Sequence, residues 1–253
     1  MYTLLKLQVG AFCTGIFNRV KQLKAIEGLM GVSGKEASGS VINYFIEVLR
    51  ENERFLNDKA RDIYEEVVLL VNDSIEYIRL ALKEQSEETV IDPMRFFLYH
   101  ILMPQSYAIF ADLLMGNLPA CFMELRLMLE SMAVSYLANL HPNKEAFFEG
   151  KMELLFERKR IAELLEEFGE KIELGREPVA LWGKLSNEWV HTKGIVTRII
   201  HKIAQEGDIP PWALAIPMIY KEKDLDALKE LGRVIAKFRE MLKRTMDKYD
   251  LFS

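Results

Sequence analysis

The residues of this chain best placed to do chemistry are Arg126 and Glu130, a charged pair spaced i,i+4 inside an apolar stretch. Pro119–Leu140 reads as one helix. At about 100° per residue, Glu124, Ser131 and Ser135 fall together and mark a polar face. Arg126 and Glu130 fall on the opposite stripe with Met123, Ala133, Val134 and Leu137. On this wheel the pair faces the core, where a charge is costly unless paired and hydrogen-bonded. The pattern predicts either a buried ion pair that fixes helix register or a site that uses a guanidinium and a carboxylate.

A second constellation is Leu185-Ser-Asn-Glu-Trp-Val-His-Thr-Lys-Gly194. On a helical wheel Leu181, Trp182, Leu185 and Trp189 share the packing face, and His191 lies opposite, near Lys184. If the helix runs on, Arg198 and Lys202 join that side. One reading is an exposed histidine on a basic, solvated face; the other is a functional histidine at a helix end, with Gly194 breaking the helix after it. Glu188 and His191 also make a Glu-x-x-His pair, the spacing used in di-iron bundles. Such a centre needs a second copy of the pair, and none of His100, His141 and His201 has a glutamate three residues before it. A mononuclear metal site built from His191 and distant carboxylates is selected by no further spacing, so no metal or cofactor is expected.

Other chemistries lack their motifs. There is no Gly-x-Ser-x-Gly elbow and no glycine-rich cofactor loop. Gly34-Lys35 resembles part of a phosphate loop, but Leu29 stands where the first glycine belongs and Glu36 replaces the Ser/Thr. The chain has 253 residues and a formal net charge of −5, which gives the surface as a whole no attraction for DNA or anionic membranes. Cys13 and Cys121 lie in apolar surroundings and predict buried free thiols in a reducing cytoplasm. The apolar start lacks a basic leader and a cleavage site, so no signal peptide is expected. Phe96–Met115 is apolar, but His100, Pro104, Gln105 and Asp112 make it core rather than a membrane span.

The elements that must position these residues are helices throughout, and the fold class is all-α. A first helix is expected over Leu4–Met30, then a flexible connection over Gly31–Ser40. Val41–Lys83 is helical with a break near Asn52–Asn57, its stripe including Val48, Phe55, Ile63, Val67, Leu70, Val71, Ile78 and Leu82. Glu84–Glu88 reads as a solvated linker. Asp92-Pro93 starts a helix with aspartate as N-cap, and Pro104 must bend or stop it. Gly116-Asn117 closes an apolar hairpin, the centre of the domain. Lys144–Lys171 reads as one charged amphipathic helix closed by Gly169 and Gly175, and Val179–Ala204 as one or two helices. Asp208–Trp212 is a rigid turn. Asp224–Tyr249 is a long terminal helix with apolar residues at 225, 228, 231, 235, 238, 242 and 246, a register for bundle packing or a two-helix dimer seam. The whole of 1–253 reads as one helical domain, with 1–90 and 91–253 as its natural subdivision.

Leu185-Ser-Asn-Glu-Trp-Val-His191 resembles the signature region of HEPN-like helical domains, in which an arginine, usually followed by asparagine, precedes a histidine by four to six residues. Asn187 and His191 match, and Ser186 stands in the arginine position. Arg95–His100 meets the bare spacing without the asparagine. An Arg-x-x-x-Glu helix followed by Leu-Ser-x-x-x-x-His, carried by Arg126, Glu130, Leu185, Ser186 and His191, also resembles all-helical prokaryotic families. The likeness implies a dimeric ribonuclease or RNA-binding partner in which arginine and histidine act on the phosphodiester. With Ser186 in place of the arginine it implies a binding or scaffold protein, unless Arg126 supplies the guanidinium.

Three functional readings follow. The first is a non-catalytic helical-bundle interaction or regulatory protein, by default a homodimer, with a protein partner. The second is a HEPN-like RNA-binding protein or metal-independent ribonuclease, with His191, Arg126 and Glu130 as catalytic candidates and Asn187, Glu188, Lys184 and Arg198 as binding candidates. The third is a binder of apolar small molecules, suggested by the many Met and Phe of the central hairpin, among them Phe97, Met103, Phe110, Met128 and Met132.

Overall fold

The computed structural model describes residues 34–83, 92–141, 148–191, 193–194, 197 and 218–249. The expected helix Leu4–Met30, the linker Glu84–Glu88, the turn Asp208–Trp212 and residues Cys13, Arg198 and Lys202 lie outside them. All regular structure among the described residues is helical, as the periodicity requires. No helix among them is long and apolar enough to cross a membrane. The chain divides into two units, Met1–Arg50 and Glu51–Ser253, and the division falls inside the first described helix.

That helix, α1 (Gly34–Lys59), starts where a flexible connection was expected and runs unbroken through Asn52–Asn57. The break comes instead at Ala60, before α2 (Arg61–Lys83). The reason lies in Asn52. Asparagine disfavours helix interiors because its side chain competes for nearby backbone, but Asn52 is fully buried and bonds at long range. α2 turns Ile63, Val67, Leu70, Ser74 and Ala81 inward, and Leu82 points out.

α3 (Pro93–Phe97) is capped as expected: the Asp92 carboxylate accepts the N–H groups of Met94 and Arg95. The chain then widens into a π turn, π1 (Leu98–Leu102), before α4 (Met103–Leu114). Pro104 explains the widening. It has no N–H, and in unbroken α geometry its ring would press on the carbonyl of His100; the Met103 N–H bonds back to Leu98 instead. Gly116, at φ 72°, reverses the chain into α5 (Leu118–Leu140).

α5 is the central helix. Every residue from Met132 to Ala138 is buried, the mark of a helix surrounded by others. It packs on α3, on α4 and on those that follow: α6 (Phe148–Arg158), α7 (Ile161–Lys171), α8 (Glu177–Leu185) and α9 (Leu225–Tyr249). The expected single helix over Lys144–Lys171 is thus two. The chain breaks at Lys159–Arg160, where Glu163 bonds the Arg160 N–H at 3.2 Å and opens α7. After α8 a second π turn, π2 (Ser186–Val190), ends at His191. In α9 Leu228, Leu231, Ile235, Phe238, Leu242 and Met246 are buried against the chain's own α2 and α5. That stripe is therefore taken up within the molecule. Arg239 ties α9 to α2 through Glu66 and Asp73, both at 2.7 Å.

One buried amide organises the return of the chain to α9. Asn52 Nδ2 donates to the carbonyls of Leu114 (2.8 Å) and Met218 (2.7 Å), and its Oδ1 accepts the Tyr220 N–H (2.8 Å). The Tyr220 hydroxyl donates to the Leu113 carbonyl. A Cβ on Gly116 would sit 2.1 Å from the Met218 carbonyl oxygen, so both the positive φ and the close approach require glycine there. Asn52→Ala would strand these buried partners and should cost about 3 kcal/mol in urea unfolding. Asn57→Ala, which removes only an exposed bond to Glu53, should change stability by no more than about 0.5 kcal/mol.

Candidate functional site

α5 and the α8–π2 segment lie side by side, fixed by two contacts. The rings of Phe122 and Trp189 stack with centroids 3.8 Å apart, and Trp182 Nε1 donates to Glu130 Oε1 at 2.5 Å. Glu130 pairs with the earlier residue of α8 and Phe122 with the later one, so the two segments run antiparallel. Interpolating between the contacts sets Arg126 at the level of Leu185–Ser186.

Arg126 and Glu130 form an ion pair, Nε to Oε1 at 2.9 Å. The Nε makes no aligned hydrogen bond, and the guanidinium carbon stands 5.6 Å from the centre of the Trp182 ring. The motif is thus a trio of cation, carboxylate and indole. Trp182 was legible only as a packing residue, although an indole N–H in a partly buried place needs an acceptor.

The helical wheel needs a correction. Arg126 and Glu130 do share a stripe with Met123, but the first half of that stripe is open. Met123 and Leu127 are 46% and 43% exposed, and the two charged side chains 23% and 25%. Further along, Val134 and Leu137 on the same stripe are buried, and so is Ser135 of the expected polar face. α5 is apolar nearly all round, so its periodicity carries little information and the cover supplied by neighbouring helices decides which face opens. The charged pair therefore lies at a margin that water reaches.

Around His191 the packing face is as expected: Leu181, Leu185 and Trp189 are buried and Trp182 half-buried. His191 is exposed, with its N–H bonded to the Ser186 carbonyl at 2.8 Å. Its backbone is already extended, with ψ 140°, so Glu188 and His191 do not share a helix face as the Glu-x-x-His spacing assumed. The chain then turns back so closely that a Cβ on Gly194 would sit 2.3 Å from the Asn187 carbonyl oxygen. Asn187 is exposed and Glu188 half-buried. Lys184 is paired with Glu230 of α9, which also holds Arg233. Ser186 is buried and its hydroxyl has no hydrogen-bond partner.

The candidates therefore fall into two groups. Arg126 and Glu130 meet each other and Trp182; among the described residues no ion pair, hydrogen bond or ring contact joins them to His191. No group of three or more metal-binding side chains occurs among the described residues. Cys121 is buried, and burial pushes its thiol well above the ordinary range. No family model matches the chain, and no curated protein or solved structure is similar to it.

A pair so close to water is worth less than a sealed one. A double-mutant cycle of Arg126→Ala and Glu130→Ala should give a coupling of about 1 kcal/mol, reduced in high salt. A salt-insensitive coupling of about 3 kcal/mol would mean that the pair is sealed from solvent.

Proposed function

We propose that this chain is a non-catalytic helical-bundle protein that binds a protein partner along the open strip of α5. The observation that carries this reading is Met123 and Leu127, large apolar side chains one turn apart and nearly half exposed near the middle of a helix whose stretch from Met132 to Ala138 is wholly buried. Beside them the charge of Arg126 is met by Glu130 and its face by Trp182, an arrangement that suits the margin of an interface. Of the Met and Phe residues that suggested a small-molecule pocket, Phe97, Phe122, Met128 and Met132 are packed in the core and Met123 lies on the open strip itself. A cytoplasmic setting belongs to it as well, given the free thiol of Cys121. In a homodimer of this kind the apolar strip of α5, rather than the terminal helix, would meet its copy.

A HEPN-like RNA-binding role is the second reading, favoured by the antiparallel register that sets Arg126 level with Ser186. In it Arg126 takes the part of the missing arginine, with His191 at the helix end.

A photo-crosslinker at position 127, used in the native cell, should trap one defined protein or a second copy of the chain, and Met123→Asp should abolish the product without unfolding the protein. Equal labelling from an exposed control position such as Glu153 would overturn the first reading. The second predicts RNA binding or cleavage that falls at least about tenfold in both Arg126→Lys and His191→Ala. An RNA pool handled alike by the wild type and both variants removes it.

A further inference from the structure

The open strip of α5 carries its own complement. Among the described residues, every ion pair, hydrogen bond and ring contact of Arg126 and Glu130 lies within their trio with Trp182. Glu130 uses one oxygen for both partners: Oε1 accepts the Trp182 N–H and faces Arg126 Nε. Its Oε2 has no hydrogen-bond partner among the described residues and is not enclosed. On Arg126 only Nε is enclosed; the two terminal nitrogens hydrogen-bond to none of the described residues and are open to water. The pair therefore shows solvent an unused acceptor and unused donors, one turn apart on one helix. Leu127 lies beside them and Met123 one turn earlier, both nearly half exposed.

A strip with one cation and one carboxylate has no net charge to select an acidic or a basic partner, but it matches itself. Let two copies of α5 cross antiparallel about a two-fold axis level with Met128, midway between the charged residues. Arg126 of each copy then stands level with Glu130 of the partner subunit. A parallel crossing would set arginine beside arginine and glutamate beside glutamate, so charge selects the antiparallel one. Building on the reading of this strip as a protein-binding surface, we propose that its occupant is a second copy of this chain, held by two reciprocal ion pairs from the terminal nitrogens of Arg126 to Oε2 of the partner's Glu130. Leu127, next to the axis, packs on its own counterpart, and Met123 covers the outer edge on each side. Trp182 already holds the cation by its face and the carboxylate by its N–H, so less side-chain freedom is lost on docking. The contact is small, which makes the dimer a reversible one.

The test is sedimentation velocity of the full chain over a wide range of concentration. The wild type should pass from monomer to dimer as concentration rises through the micromolar range, with a midpoint that climbs with salt. Arg126→Glu and Glu130→Arg each set like charges against each other across the axis, and each should weaken the dimer at least about tenfold. An equimolar mixture of the two variants should associate at least about fivefold more tightly than either alone, because each supplies the charge the other lacks. A dimer formed elsewhere on the surface, or a pair with only a structural role, gives no such recovery. A wild type that stays monomeric, variants that associate like the wild type, or a mixture no tighter than its parts overturns the proposal. If either variant loses its cooperative melt, Leu127→Asp, at an exposed position, decides: loss of the dimer with a wild-type melt supports the proposal and an unchanged dimer overturns it. A monomeric wild type whose position 127 crosslinks to a different protein overturns the second copy alone and leaves the protein-binding reading standing. A monomeric wild type with no defined product at position 127 removes both.

Discussion

The bond set around Asn52 is the constraint on which the bundle rests. A carboxamide sealed from water must use both its ends, and here the nitrogen serves two carbonyls and the oxygen one N–H. Residues 218–220 belong to no helix, so their backbone groups have no ladder of their own to bond into. Asn52 takes one carbonyl and one N–H of this stretch, and the Met115 carbonyl takes the Met218 N–H. Tyr220 fills the space between, its ring 5.9 Å from that of Phe55 and its hydroxyl on the last turn of α4. Only then does the chain enter the turn at Glu222–Asp224 and begin α9. The start of the buried stripe of α9 is thus set by polar bonds to α1 and to the α4–α5 corner.

The same logic, less completely applied, shapes the margin of α5. Glu130 has two partners and Arg126 has Glu130 and an aromatic face, so the charges are compensated without being enclosed. Trp182 is the hinge of this arrangement, since its indole meets the acid with its edge and the guanidinium with its face. Seven residues on, Trp189 meets Phe122 with no charge involved. The two tryptophans divide the work of docking α8–π2 onto α5, one through a polar bond and one through stacking. Between them Ser186 is enclosed and His191 is left in solvent.

What was legible in the sequence follows from where the information is local. Asp92-Pro93 carries its own capping chemistry, and the start of α3 is where those two residues put it. The terminal helix was legible because its stripe contrasts with a strongly charged opposite face. Asn52 misled because a residue unfavourable in helices is ambiguous until its long-range partners are known. The Lys144–Lys171 segment misled because two amphipathic helices in succession keep a nearly common period across Lys159–Arg160. For the site, the i,i+4 spacing was enough to pair Arg126 with Glu130, and the place of His191 opposite Leu181, Leu185 and Trp189 on the wheel was enough to expose it, although the helix ends before His191 and not at Gly194. Trp182 lies 52 residues from Glu130, and no local pattern reports such a contact. Nor could a wheel say which side of α5 stays open, because that depends on where α6, α7 and α8 come to rest.

The two π turns have a consequence for the phase of the molecule. π1 inserts one residue between α3 and α4, so the side chains on either side of it are out of step by about 100° with the count of an unbroken α-helix. Arg95 and Tyr99 therefore look out on a different meridian from the residues of α4 that an unbroken wheel would align with them. π2 instead closes α8, with Trp189 stacked on Phe122 while the backbone is already leaving the helix at His191. The slip of π1 acts as a gear between two consecutive stretches of one rod, so that the exposed residues of one stretch and the core residues of the next need not follow a single face.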